Sequence, residues 1–183
     1  MAVTEIRERY LEPANSLFPV IAPQLSQRLS TPINLATISE VELEIADLWV
    51  GYPGRRVEIS WREIIYRHRK TPKRIDVAIY SRGVLCGMMV STISKARVNV
   101  NLTYVEANPD PFHPLKSNFL FVATLQAELF AQAIDAKSTS ISKPDRNLID
   151  AYKKLDYRPL SADRTREAKG LRPHYVQLIK RFD

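Results

Sequence analysis

The chain has 183 residues, of which 45% are hydrophobic and 9% aromatic, enough apolar material for one packed domain and too much for a disordered chain. A formal charge of +7 favours acidic partners: nucleic acid (tRNA or DNA), a phosphorylated cofactor, or an acidic substrate or protein surface. A single cysteine, Cys86, excludes an internal disulfide and a thiolate zinc site built by one chain, and fits a reducing compartment.

The first residues, MAVTEIRERYLEP, put Glu and Arg where a secretory leader needs an apolar core. No apolar run reaches the roughly 18 residues of a membrane span, so the expectation is a cytoplasmic protein without a membrane partner. Residues 1–32 read as a helical extension made in pieces, because Pro13, Pro19 and Pro23 each limit a helix. A domain at 33–183 follows. INLAT (Ile33 to Thr37) is a short strand. SEVELEIADLWV is a helix capped by Ser39, with Val41, Ile45, Leu48 and Trp49 on one face. Gly51, Pro53 and Gly54 break the chain. Ser60 to Glu63 has capping-box spacing and starts a second helix with Trp61, Ile64, Ile65 and His68 inward.

Three strands joined by polar turns form a meander: Ile75 to Tyr80, Val84 to Ile93, and Arg97 to Ala107, with turns at Ser81-Arg82-Gly83 and near Lys95. In the third, alternation puts Val98, Val100, Leu102 and Tyr104 on one face and Asn99, Asn101, Thr103 and Val105 on the other. Glu106 then points to the apolar side, unless a bulge re-aims it. The polar face is solvent-exposed or lines a cleft. The proline-rich loop NPDPFHPLKSN leads into an apolar helix, FLFVATLQAELFAQAIDA, whose N-terminal amides and dipole suit an anion. Lys137 to Lys143 is a β-branched strand that returns parallel after that crossover helix. RNLIDAYKKL is helical. A weak strand at Arg158 to Leu160, the polar loop SADRTREAKGLRP, and a strand from His174 to Phe182 complete the chain. His68, His113 and His174 have no metal-ligand spacing, Cys86 reads as buried filler, and no Ser-His-Asp set, Walker loop or dinucleotide fingerprint is present.

The order β-α-α-β-β-β-α-β-α-β-β, with NLIDAYKKLDY near its end, resembles the GNAT superfamily of acyl-CoA-dependent N-acyltransferases over roughly residues 33 to 182. Ala151 to Tyr157 stands where that family has Leu-Tyr-Glu-Lys-Leu-Gly-Phe. The resemblance implies an α/β fold with a mixed, mostly antiparallel sheet and helices on both faces. It also implies transfer of an acetyl group from acetyl-CoA to an amine on an anionic or macromolecular acceptor. Tyr152 would be the general acid for the leaving thiolate and Glu106 the base for the amine. Val105 and Ala107 on the strand, His113, Lys116, Ser117 and Asn118 on the loop, and Asn147 would hold the cofactor; no metal is implied.

The family's pyrophosphate loop, Arg/Gln-x-x-Gly-x-Gly/Ala, corresponds to His113-Pro114-Leu115-Lys116-Ser117-Asn118. Here Lys116 and Asn118 replace both glycines and Pro114 removes a donor, although Ser117 and Lys116 can both meet a phosphate. Two alternatives keep the fold: a nucleic-acid or protein-binding module without cofactor, and a nucleic-acid base-modifying enzyme. Both draw on two basic stretches that the fold would set around one mouth. The first is Arg55, Arg56, Arg62, Arg67, Arg69, Lys70, Lys73 and Arg74, with Tyr52, Trp61 and Tyr66 able to stack on bases; the second is Arg158, Arg164, Arg166, Lys169 and Arg172.

Overall fold

The meander forms where the sequence places it, and its first turn shows why. Arg82 and Gly83 both take left-handed conformations, with φ of 50° and 76°, the arrangement of a two-residue primed turn whose twist matches the strands it joins. A computed structural model of the chain describes residues 3–182 except positions 56, 58, 72, 95 and 97, with side chains from residue 15 onward. Strands β2 (Arg74–Ser81), β3 (Val84–Ile93) and β4 (Asn99–Ala107) are antiparallel neighbours. β1 (Asn34–Ala36) lies on the outer edge of β2. Helix α4 (Phe119–Ala133) then carries the chain over the sheet, so β5 (Ser138–Ser142) returns parallel to β4. The final strands, β6 (Arg158–Pro159) and β7 (Gln177–Arg181), add antiparallel pairs, giving the order β1-β2-β3-β4-β5-β7-β6. The mixed, mostly antiparallel sheet is the one expected.

Each face of the sheet has its own apolar layer. On one, Phe119, Val122 and Phe130 of α4 pack against Val77, Ile79, Met89, Val100 and Leu102, joined by Phe18, Ile21 and Leu25 of α1 (Val3–Leu29) and by Tyr152 of α5 (Ile149–Lys154). On the other, Leu43 and Ala46 of α2 (Glu40–Asp47), Trp49, and Trp61 and Ile64 of α3 (Trp61–Arg67) cover Ala78, Met88 and Val90. Cys86 is fully buried in the first layer, and burial raises its thiol pKa, as befits filler rather than a nucleophile.

Four expectations are corrected. α1 is one continuous helix through Pro13, Pro19 and Pro23. Pro19 and Pro23 sit on its exposed side while Phe18, Ile21 and Leu25 are buried, so packing on α4 outweighs the backbone bonds the prolines forfeit. α2 and the turn that follows it bury Leu43, Ala46 and Trp49 and leave Val41 and Leu48 exposed. Its rotation follows Glu42, whose carboxylate accepts from the Ser39 amide at 2.7 Å and from the Tyr80 hydroxyl at 2.6 Å, pinning that face to the sheet. The stretch read as a polar loop contains helix α6 (Ser161–Ala168). Asp163 holds it by accepting from the amides of His174 and Tyr175 at 2.7 and 3.1 Å; a helix so polar shows no apolar period.

The fourth correction concerns β4. Tyr104 pairs with Val90 and Leu102 with Ser91, so Thr103 is an extra residue. This bulge exchanges the faces: Val105 and Ala107 join Val100 and Leu102 on the α4 side, while Tyr104 moves to the α2–α3 side, where His68 meets its ring edge-on at 5.3 Å. Glu106 travels with Tyr104 by the period of two. β3 has the expected range and β2 runs one residue further at each end, while the other strands are shorter than expected. The turn residue Lys95, the expected strand start Arg97, and Arg56 lie outside the described residues.

The start of α4 rests directly on the sheet. A Cβ placed on Gly87 of β3 would lie 2.2 Å from the Phe119 ring and 2.5 Å from the Glu106 carbonyl oxygen. Gly87→Ala is therefore expected to destabilise the fold by about 1–3 kcal/mol through overpacking, read as a lower denaturant midpoint with unchanged slope. A midpoint equal to wild type would show that α4 does not bear on this glycine.

Candidate active site

β4 and β5 pair only as far as Leu102 and Ile141, while β4 continues beside β3 to the Ala107–Gly87 pair. From Thr103 to Ala107 the edge of β4 that faces β5 has no strand partner. The sheet thus opens at the carboxyl ends of two parallel strands, where α/β sheets place ligands. A cavity of about 900 Å³ fills the opening. Val105, Ala107, His113 and Lys116 line one side of it, Gly54, Arg55 and Val57 another, and Lys143, Asp145 and Tyr152 the far wall.

Tyr152 is 4% exposed, packs edge-on against Tyr157 at 6.2 Å between ring centres, and lines the cavity. Burial, assisted by the charge of Asp145, pushes its phenol up to about 12. Among the described residues nothing hydrogen-bonds its hydroxyl, and that oxygen is not among the sealed polar atoms. Its hydroxyl is thus left accessible at the wall of the cavity.

Glu106 is differently placed. Its carboxylate accepts from the Trp61 indole at 2.6 Å and from Arg55 Nε and Nη2 at 2.7 and 3.2 Å, and the side chains of Arg55 and Glu106 are each 7% exposed. Both oxygens are engaged, one of them twice. Trp61 and Arg55 lie 45 and 51 positions from Glu106 in the sequence, and no local pattern could have joined them.

The loop before α4 solves the glycine problem by not adopting glycine conformations. Among the described residues none from Asn108 to Asn118 has positive φ; the loop runs as successive turns, with the amides of Lys116 and Asn118 bonded to the carbonyls of His113 and Leu115. That leaves the amides of Ser117, Phe119, Leu120 and Phe121 without partners among the described residues, the ordinary orphan donors of a helix start. His113 lines the cavity, is 5% exposed, and its Nδ1 is buried without a partner. Burial lowers its pKa, with the Asp110 charge opposing the shift and Lys116 adding to it. Of the other residues expected at the cofactor, Ser117 and Asn118 are exposed at the helix start and Asn147 is exposed beside the cavity without lining it.

The polar face of β4 proves to be a ladder across three strands. Asn99 donates to Ser140 at 2.8 Å, Ser140 and Ser142 donate to Asn101 at 2.9 and 3.0 Å, and Gln177 donates to Ser140 at 3.0 Å. Four members of the first basic stretch are paired with carboxylates among the described residues. Arg55 serves Glu106, Arg74 is fully buried on Asp76, Arg62 bridges Glu40 and Asp47, and Arg67 pairs with Glu63. Arg69 stacks over Tyr66 at 3.6 Å.

This architecture recurs in solved structures. An acetyltransferase from Bacillus subtilis in complex with CoA superposes with a TM-score of 0.51 at 14% identity, covering 82% of this chain and 98% of that one. A protein from Desulfovibrio desulfuricans described as an acetyltransferase of the GNAT family gives 0.51 at 10% identity, covering 82% and 98%. The chain has the GNAT fold. The N-acetyltransferase PseH from Campylobacter jejuni shares that fold with a TM-score of 0.53 at 9% identity, covering 82% and 99%. No protein-family model and no curated protein matches the sequence. Within the GNAT fold of this chain, the opening between β4 and β5 and the helix start beside it form the site described above. Among the described residues, no cluster of His, Cys, Asp or Glu could hold a metal, and no helix is long and apolar enough to cross a membrane.

Proposed function

We propose that the protein is an N-acetyltransferase that moves an acetyl group from acetyl-CoA to an amine, with Tyr152 as general acid. The observation that carries this reading is the unpartnered Tyr152 hydroxyl in the same cleft as the free edge of β4. CoA in complex with the Bacillus subtilis neighbour supports the choice of donor.

The residues present fit a pyrophosphate, though not by a glycine loop. The orphan amides of Ser117, Phe119, Leu120 and Phe121, the positive end of α4, and Lys116 offer donors and charge to an anion. The buried Nδ1 of His113 lacks a partner beside them. The unpaired edge of β4 offers backbone groups to an amide-bearing chain in the manner of an added strand.

The amine nitrogen forms a bond to the acyl carbon of the thioester, the carbon–sulfur bond breaks, and the sulfur leaves with the Tyr152 proton as a free thiol. The proton lost from the amine passes to solvent, and the phenolate recovers one from there. Glu106 is assigned a positioning role: it fixes Arg55 and Trp61 on the other side of the cleft. The acceptor is read as a small amine rather than a nucleic acid, because Arg55, Arg62, Arg67 and Arg74 of the first basic stretch are paired within the chain, with Glu106, with Glu40 and Asp47, with Glu63 and with Asp76.

Acetyl-CoA is expected to raise the melting temperature, since a ligand that binds only the folded state stabilises it by about 2.7 kcal/mol at a hundred times its Kd. Calorimetry with and without millimolar acetyl-CoA measures this. No shift would end the acetyltransferase reading.

A further inference from the structure

The Arg55 guanidinium is held at two of its nitrogens and has more to give. A guanidinium carries five N–H donors. Glu106 takes Nε and one hydrogen of Nη2, and the Ile59 carbonyl accepts from Nη2 at 3.2 Å. Both hydrogens of Nη1 have no acceptor among the described residues, and Nη1 is not one of the sealed polar atoms. Arg55 lines the cavity. A side chain already ordered on two nitrogens and largely removed from water presents the third to the open space.

The three contacts decide what would meet it. A surface arginine loses side-chain entropy when it binds an anion, whereas Arg55 has already been fixed by Glu106 and Ile59. Nη1 is a donor only, so its partner must be an acceptor, and a charge-assisted bond to a carboxylate oxygen is the strong version. The position separates this partner from the donor's phosphates. Arg55 stands with Glu106 on the α2–α3 side, whereas the orphan amides of α4 and His113 belong to the opposite face.

Building on the acetyltransferase reading, we infer that Arg55 Nη1 anchors a carboxylate of the acceptor, so the acceptor is a small molecule carrying both an amine and a carboxylate, such as an amino acid. Glu106 is then a positioning residue that holds the anchor in its rotamer, and Trp61 holds Glu106.

The probes are the common L-amino acids and, matched to each, its carboxamide. Acetylation is followed as thiol release from acetyl-CoA, and thermal stabilisation by each probe is measured with coenzyme A present. Wild type is expected to favour the carboxylate member of at least one pair by roughly 10- to 100-fold in kcat/KM or apparent affinity, the size of one charge-assisted bond. Arg55→Lys keeps a cation for Glu106 but lacks the second arm, and should lose that preference while its affinity for acetyl-CoA holds. Because Arg55→Lys can also disturb the fold, the double variant Arg55→Met with Glu106→Gln removes both charges, keeps an acceptor for the Trp61 indole, and should behave alike. Glu106→Gln alone should lower the preference without abolishing turnover. Equal response to acid and amide, or no response to either, overturns the inference. Failure of acetyl-CoA itself to bind wild type overturns the acetyltransferase reading instead.

Discussion

Tyr152→Phe is expected to lower kcat by about 10²- to 10⁴-fold, the usual worth of a placed general acid, with the affinity for acetyl-CoA and the melting temperature nearly unchanged. The separation follows from the hydroxyl's surroundings. It bonds to nothing in the folded protein among the described residues, so its removal strands no partner, and the ring keeps its packing on Tyr157. With its pKa pushed up to about 12 by burial, the phenol is protonated throughout the range in which amines lose their protons. Activity should therefore rise with pH as the acceptor amine deprotonates and show no fall due to Tyr152 until the pH nears that value. The variant should lose the rate and keep the rising limb. Unchanged kcat in the variant, or a fall in wild type well below that pH that disappears in the variant, would remove Tyr152 from the chemistry.

Asp76→Ala is expected to cost about 3–5 kcal/mol, a large share of the roughly 5–15 kcal/mol that holds an ordinary domain together. Arg74 and Asp76 are 0% and 1% exposed, joined at 2.6 Å, and Arg74 Nη1 also reaches the Ile65 carbonyl at 2.9 Å, tying β2 to the end of α3. Losing the carboxylate strands a guanidinium in the core. Replacing both together, as Arg74→Met with Asp76→Leu, should restore most of the stability, because the penalty lies in the unmatched charge rather than in the lost bond. Nearby His68 offers a second readout. Burial first, then the Arg74 charge, lowers its pKa, and Asp76 opposes them, so Asp76→Ala should lower it further, measurable by NMR titration. A single variant costing under about 1 kcal/mol would mean that water reaches Arg74.

The elements with a clear period were legible in the sequence: the three-strand meander, the crossover helix, the parallel return of Ser138–Ser142 and the helix bearing Tyr152. What escaped had no local signature. A bulge is a register event between strands, so a single strand's alternation could leave Glu106 open to re-aiming but not decide it. The α1 prolines say where backbone bonds are lost and nothing about the α4 surface that compensates. Lys116 and Asn118 showed that a glycine loop was absent. That turns would spend their amides and leave those after Asn118 free depends on backbone geometry, which composition does not carry. The partners of Glu106 come from a separate helix start and loop, and only the folded chain brings them together.

The cavity draws its lining from elements on both sides of the sheet, His113 and Lys116 from the loop before α4 and Arg55 from the α2–α3 side. Under the acetyltransferase proposal, the donor's phosphates and the acceptor's carboxylate would each be met by a different element, and the two molecules would share one wall only at Tyr152.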